Sequence, residues 1–525
     1  MAKNTKLLVI IALTLGMTLA TLDTTIISTA MPKIVGQLGG IALYSWVFSI
    51  YLLTSTMTVP LYGKLADLYG RKPIFLIGMA LFLVGSVACA LARSMEQLIL
   101  FRALQGLGAG AIAPLVLTMI NDISTSREER NRLQGLVGAI WGVSSVIGPA
   151  LGGLIVDYLS WPWVFYINIP FGILAMIFLA LFFKETFTRQ RSRLDYLGTL
   201  LLTSAVVALL LALLQGGVAW EWISFPSLAL FLAAALLTVL FVLVERRVAE
   251  PLISLSLFEN RTIVVASIGG FILGCLMFGI STYIPLFVQG VMGNSATEAG
   301  FVLIPESLSW SLISVFIAVL LRHMSFQRIV RLGTYIALPG ITLLLLFTPQ
   351  TGLPFMLLTM VVIGCGLGLS ANVYTLSVQS AAPKNLIGVA SAFTQFVRTI
   401  GGTVGVAIMG AILNAQMAQR FAPILAHFAS STAHLPKNVA PANILLTPGL
   451  RASLPTDFLD QLTNALSQSL FWVYALMAVL ALGALITMLW FPREQANTRR
   501  TDMAVAQTSF PTEQPAAQQI TDEVR

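Results

Sequence analysis

Long apolar stretches alternate with short polar ones along nearly the whole chain. Apolar runs fall at about 7–31, 43–62, 73–92, 98–120, 135–157 and 163–182, then at 196–217 and 226–244, and then at 262–287, 299–321, 332–348, 354–376, 386–412 and 468–490. At a rise of about 1.5 Å per residue, each approaches or exceeds the length needed to cross a hydrocarbon core of about 30 Å. Inside such a core the backbone must satisfy its own polar groups, which a helix does. The pattern therefore predicts an all-α polytopic membrane protein with fourteen transmembrane helices.

The runs divide as six, two and six. This predicts a first bundle over 7–182, two additional helices over 196–244 and a second bundle over 262–490. The two sets of six echo each other weakly. QGLGAG (Gln105 to Gly110) in the fourth run has a counterpart in GCGLGLS (Gly364 to Ser370) of the twelfth, and GPALGG (Gly148 to Gly153) in the fifth has one in GGTVG (Gly401 to Gly405) of the thirteenth. Repeated bundles are a common way to build a transporter with its site at the midplane. Two segments are expected outside the membrane. Residues 413–467 carry Pro423, Pro436, Pro441, Pro448 and Pro455 and suggest a helical hairpin over one face, while the polar tail from 494 to 525 is expected to be disordered.

The positive charges test this layout. Of the 30 Lys and Arg, 23 fall in the termini or in alternate loops, five fall on the other side, and Arg102 and Arg398 lie within runs. Such a bias predicts cytoplasmic termini. It also explains the net charge of +8 as topology, without nucleic acid. Only 10% of the residues are charged against 57% hydrophobic, far from a soluble composition. Cys89, Cys275 and Cys365 sit far apart in apolar runs and read as small buried hydrophobes. His323, His427 and His434 lie in loops without companion ligands, and no nucleophile with its base, phosphate loop or metal-ligand set appears. The chain is expected not to be an enzyme and to hold no cofactor or metal.

Asp23 is the residue that most needs explaining. It lies about eight residues, roughly 12 Å of helical rise, from the end of the first run near Met31. A carboxylate at that depth costs several kcal/mol unless it is paired or protonated. It either serves function, reaches water near a helix end, or makes a structural pair. Arg102 and Glu306 are placed at similar depth, in the same half of the membrane. Burial favours a neutral carboxyl and a nearby arginine favours the ionised one, so Asp23, Arg102 and Glu306 together could load and release a proton. Arg102 could equally bond the backbone of the first helix, and Pro305 could turn Glu306 toward water.

Between the second and third runs lies GKLADLYGRKP (Gly63 to Pro73). It closely resembles the signature cytoplasmic loop of the major facilitator superfamily. The family's gating-loop residues are matched by Gly63, Asp67, Gly70, Arg71 and Lys72, with Asp67 expected to cap or pair at the start of the next helix. LILFRALQGLGAG (Leu98 to Gly110) resembles the family's fourth-helix motif with its intramembrane arginine. WGVSSVIGPALGG (Trp141 to Gly153) resembles its antiporter motif, matched here by Gly142, Gly148, Pro149, Gly152 and Gly153. LDTTIISTAMPKI (Leu22 to Ile34) and WPWVFYINIPFGI (Trp161 to Ile173) look like the fourteen-helix drug:proton antiporter-2 branch, the QacA/EmrB type, and the resemblance spans 7–490. Two departures stand out. Pro162 replaces the usual arginine between Trp161 and Trp163, and the second-half copy of the signature loop, LLRHMSFQRIVRLG (Leu320 to Gly333), lacks its Gly and Asp.

The resemblance implies a monomeric, proton-coupled antiporter of the bacterial cytoplasmic membrane, exporting lipophilic or cationic small molecules, with membrane lipid around it and H+ as its coupling ion. A dedicated exporter of an endogenous metabolite, lipid or peptide is the alternative, and a channel or membrane sensor a poorer one. Arg398, in FTQFVRTIGG, is either a counter-charge for a buried acid or a packing contact. The candidate rings for a greasy cation are Trp46, Tyr51, Trp141, Phe278, Tyr283, Trp310, Tyr374 and Phe393.

Overall fold

The structure is a computed structural model and describes residues 3–185, 195–217, 219–248, 255–383, 386–429 and 441–492. Among the described residues fourteen helices are long and apolar enough to cross a membrane, in agreement with the runs. In chain order the elements are α1 (Lys3–Leu38), α2 (Tyr44–Tyr69), α3 (Arg71–Ala90), α4 (Met95–Ile123), α5 (Arg127–Tyr158), the short α6 (Trp163–Tyr166) and α7 (Asn168–Phe182). Next come α8 (Tyr196–Gln215) and α9 (Phe225–Glu245). The second set is α10 (Arg261–Leu286), α11 (Ala296–His323), α12 (Phe326–Leu343), α13 (Leu353–Ala381), α14 (Ile387–Ala429), α15 (Pro441–Leu446), α16 (Pro448–Ala452) and α17 (Thr456–Leu489). The tail from 494 onward lies outside the described residues.

Serine caps start several helices where the polar loops end. Ser94, Ser126 and Ser325 accept from backbone N–H groups at the starts of α4, α5 and α12, and Ser295 with Glu298 forms a reciprocal capping box at α11. Pro285 near the end of α10 is followed by a π-turn at Phe287–Val291. The carbonyls of Gln289, Gly290 and Val291 accept from the Arg451 guanidinium, so a side chain from the 441–452 segment completes that irregular end. The expected loop from 413 is largely helical: α14 runs on to Ala429 and α17 begins at Thr456. Residues 430–440 of it lie outside the described residues.

The buried apolar residues show how the two sets of six meet. One cluster joins both sets at the face opposite the start of α1: Ile26, Met31, Tyr44 and Phe48 pack with Tyr283, Phe287, Ala299, Met409 and Tyr474. At the face where α1 begins the clusters separate. One holds only first-set residues such as Leu13, Phe75, Met79 and Val116, joined at its margin by Phe278, and another only second-set residues such as Ile263, Ile329 and Val373. The molecule is sealed across the seam at one face and parted at the other. The helices lining the gap match: in the first turns of α5, Gln134, Gly135 and Gly138 are exposed, and Trp141 is 40% exposed.

Hydrogen bonds stitch the sealed side. Tyr44 donates to Thr282 O at 2.7 Å, Ser45 and Tyr283 share a hydroxyl bond at 2.8 Å, Gln289 donates to Thr29 O at 2.9 Å and Asn414 to Ala42 O at 2.9 Å. The middle pair is attached asymmetrically. Val206, Leu210 and Leu214 of α8 pack with Trp46, Leu53 and Met57 of α2 and Ala407 of α14, so α8 covers the seam on that side, and α9 packs on α8.

Candidate functional site: a buried acid and base in the first bundle

Asp23 sits mid-α1 with 1% of its surface exposed, facing α3, α4 and α7. Arg102 of α4, also 1% exposed, donates from Nη1 to Asp23 Oδ2 at 2.6 Å. Gln105, one turn along α4, donates to Asp23 Oδ1 at 2.7 Å and accepts from Arg102 Nη1 at 2.7 Å. Asn168, at the start of α7, donates to the same Oδ1 at 3.2 Å, and Ser86 of α3 accepts from both Gln105 and Asn168. The Arg102 guanidinium lies 4.0 Å over the Tyr51 ring.

The local sequence makes this convergence possible. A Cβ on Gly85 would lie 2.5 Å from Gln105 Cα, so only glycine lets α3 come close enough for Ser86 to reach the amide. Gly106 likewise lies directly against Tyr51 and Thr54 of α2, drawing Tyr51 under Arg102. A charge pair removed from water is tolerable only when its remaining donors and acceptors are met. Here two amides and a hydroxyl do much of that. Arg102 thus bonds the carboxylate of α1 and not the helix backbone. Gln105 and Asn168 escaped the sequence reading, although both lie inside quoted motifs, because an amide carries no charge to flag it.

Glu306 is not part of this cluster. It lies half-buried on α11 with Ser307 as its hydrogen-bond partner at 3.4 Å, while its backbone carbonyl packs against Gly364 of α13. Arg398 is half-buried on α14, and its guanidinium bonds Gln395 one turn back. Among the described residues no acid pairs with it, so the counter-charge expectation finds no partner in this conformation.

The signature loop is folded as a clamp between α3 and α7, with one role reassigned. Gly70 takes a φ of 100°, open to glycine, and starts α3. Asp67 does not cap that helix. Glu185, after α7, does so instead, accepting from the N–H groups of Arg71 at 2.5 Å and Lys72 at 3.2 Å. Geometry explains this: Asp67 is still inside α2, before the turn, whereas Glu185 faces the helix start. Lys72 returns the favour at the end of α7, donating to the carbonyls of Ala180 and Phe183 at 2.7 and 2.9 Å. Arg71 pairs with Asp122 at the end of α4. Gly63 has open space where a Cβ would be.

The antiporter motif lies on the seam. Gly148 and Gly152 fit against Thr25 and Thr29 of α1, and Thr29 donates to Pro149 O at 3.2 Å. A Cβ on Gly153 would stand 2.5 Å from Ala296 O and Thr297 Cα of α11, and one on Gly142 would stand 3.7 Å from Ser311 Cβ. At the sealed end, Asp157 of α5 receives the Lys33 ammonium at 2.5 Å and the Thr297 N–H and hydroxyl at 2.8 and 2.6 Å. One carboxylate of the first set therefore caps the first helix turn of α11 in the second. Asp157 was not singled out from the sequence; its place as a charged residue at the end of the fifth run is the signal that could have found it.

Of the eight candidate rings, Trp141, Phe278 and Trp310 keep exposed surface. Trp46, Tyr51, Tyr283 and Phe393 are buried by protein in this conformation, as is Tyr374, which lines a small cavity with Leu273, Thr334 and Ala484. Tyr283 spends its hydroxyl on Ser45 and Val406 O, Tyr374 packs on Gly269, and Phe393 stacks edge-on with Phe258 at 5.3 Å.

The family model described as Major Facilitator Superfamily matches residues 13–195 and 185–406. The chain belongs to the Major Facilitator Superfamily. It is thus a multi-pass membrane transporter and not an enzyme. It is 33% identical over 494 residues to Multidrug resistance protein 3 of Bacillus subtilis, covering 93% of this chain and 96% of that one. It is 36% identical over 518 residues to Multidrug transporter protein MdtP of the same organism, covering 95% and 96%. Among solved structures, a bacterial homolog of the human lysosomal transporter Spinster, in an inward-facing and unoccupied conformation, aligns with a TM-score of 0.67 at 17% identity over 94% of this chain and 98% of that one.

Proposed function

We propose that this protein exports amphipathic, mainly cationic, drugs across the bacterial cytoplasmic membrane in exchange for protons, by alternating access. The similarity to two named multidrug transporters over most of the chain supports the drug substrate. The observation that carries the coupling is the buried Asp23–Arg102 pair with its amide neighbours. Protonating Asp23 removes one member of the pair, and Gln105 Oε1 remains to hold Arg102. Such a cluster can exist in two protonation states without leaving a buried group wholly unmet, which a coupling site requires. Its reach to one side or the other must alternate with the seam.

In this reading the termini are cytoplasmic, as the charge bias supports, and the parted face is the inner one. Drug enters from inside between the halves, Trp141, Phe278 and Trp310 offer ring surface, and Glu306 offers negative charge. Opening of the outer seam releases the drug and admits the proton. Substrate-induced proton release from purified protein tests the coupling: it is expected on adding a cationic dye to wild type, and its absence in wild type sinks the antiport reading. Orientation is tested by single cysteines replacing Ser126 and Glu221 in a cysteine-free background. The first should be shielded from an impermeant thiol reagent in intact cells and the second labelled, and the reverse pattern inverts the model.

A further inference from the structure

Arg102 and Arg398 lie deep inside spanning helices, and among the described residues only Arg102 of these two is paired with an acid. Arg102 has a carboxylate and a carboxamide. Arg398 lies about ten residues, roughly 15 Å of rise, beyond the start of its span at Gly388, which places it near mid-membrane. Its guanidinium carries five donors, and among the described residues only the Gln395 side chain accepts from it. An uncompensated cation at that depth is expensive, so its usual partner is to be sought outside the chain.

The surroundings say where that partner comes from. Gly388, Ala392, Gln395 and Thr399 fall on one stripe of α14; the first three are exposed and Thr399 half-buried. Phe396, Ile400 and Ala407 lie beside that stripe, packed against α2 and α8. A mid-membrane stripe that includes a glutamine, a threonine and the tip of an arginine does not suit lipid tails and must border water. The backbone is pinned there, with Gly274 of α10 directly on Arg398 O. One turn on, Gly402 packs on the Phe278 ring, which itself touches both the seam cluster and the first-set cluster. Arg398 therefore stands one helical turn from an aromatic side chain at the junction of the two halves.

We propose that Arg398, oriented by Gln395, binds the carboxylate of an amphipathic substrate, with Phe278 flanking its apolar part, so that the exported compounds include zwitterions and acids as well as cations. A planar guanidinium takes a carboxylate through two parallel bonds, which a lysine cannot reproduce. The inference rests on the export reading and extends its substrate class to compounds that carry an acid.

The test uses an aryl-alkyl amino acid and its methyl ester, which share the amine and the ring and differ in the acid. Binding to the purified full-length protein is measured by calorimetry, and export in proteoliposomes under a pH gradient. Arg398→Gln should weaken the acid about tenfold or more beyond its effect on the ester, with Arg398→Lys between. Equal losses for both compounds, or no loss for either, overturn the site. Should Arg398→Gln not be recovered folded, Arg398→Lys and Gln395→Leu decide by the same acid-to-ester ratio. If vesicles rich in phosphatidylglycerol abolish the acid's advantage in wild type, the arginine serves a lipid phosphate and the proposal fails. Wild type that moves neither compound nor a cationic dye sinks the export reading itself, whereas dye export with an acid-to-ester ratio indifferent to Arg398 sinks only the anion site.

Discussion

The two bundles treat their intramembrane charges in opposite ways. In the first, Asp23 and Arg102 are 2.6 Å apart, 1% exposed and enclosed by Gln105, Asn168 and Ser86. In the second, Glu306 and Arg398 stand on different helices, half-buried, each with a single neighbouring side chain as hydrogen-bond partner among the described residues. A closed pair has room for a small ion and excludes anything larger. Open, separate charges can meet a ligand. The comparison suggests a division of labour in which the first bundle handles the proton and the second reads the substrate.

The sharpest way to break that comparison is Asp23→Asn. Asn keeps the shape and can still accept from Gln105, but it cannot titrate, so folded protein should be obtained with proton-driven export and substrate-induced proton release both lost, while Asp23→Glu keeps part. Proton release equal to wild type from Asp23→Asn would move coupling elsewhere, with Glu306 the next candidate. Arg102→Ala should be nearly as damaging, through a different route. It strands a buried carboxylate, a change that costs about 3–5 kcal/mol in comparable buried pairs. Its unfolding temperature in detergent should fall, and Asp23→Asn in the same chain should restore part of it. No restoration would mean that the two side chains are not coupled.

Glu306→Gln tests the other half of the comparison with a smaller effect. Losing one charged contact to a cation should reduce dye export about tenfold, with proton release on dye binding still present at higher dye concentration. If proton release vanishes instead while dye binding persists, Glu306 belongs with the coupling acid and the division between bundles is wrong.

How much of this was legible in the chain differs from element to element. The spans were, because an apolar run of membrane length has one stable solution in lipid. So was the meeting of Asp23 with Arg102 in depth, since helical rise fixes height along the membrane normal. Rotation about the helix axis and the choice of neighbour were not. That is why Glu306, placed by helical rise at a depth similar to Asp23, lies apart from it on α11, and why Tyr283 could look like a pocket ring and be packed with its hydroxyl bonded. The capping of α3 by Glu185 and not Asp67 depends on the path of the chain after α7, more than one hundred residues away, which no local motif encodes. The neutral members Gln105 and Asn168 become visible only once the charges they serve are in place.

The seam supplies the last test, because a bundle can handle the proton alone only if the two halves move apart around it. Asp157 fastens them at the sealed face: it holds Lys33 of its own half and the first N–H groups and hydroxyl of α11 in the other. Asp157→Asn removes the charge that favours the α11 terminus and the ammonium, an effect of about 1–2 kcal/mol, so it should tilt the equilibrium toward opening there without abolishing transport. A cysteine at Ser49, buried at the seam beside Thr403, should then react several-fold faster with an impermeant thiol reagent added from outside. A second lock calibrates the result. Cysteines at Gly142 and Ser311, whose Cβ atoms would stand 3.7 Å apart, fit the spacing of a disulfide, and oxidising them should return the Ser49→Cys rate to its slow value and stop export. If Asp157→Asn leaves that rate unchanged, the carboxylate only caps a helix, and the sealed face is held by its apolar cluster and the hydroxyl bonds of Tyr44 and Tyr283.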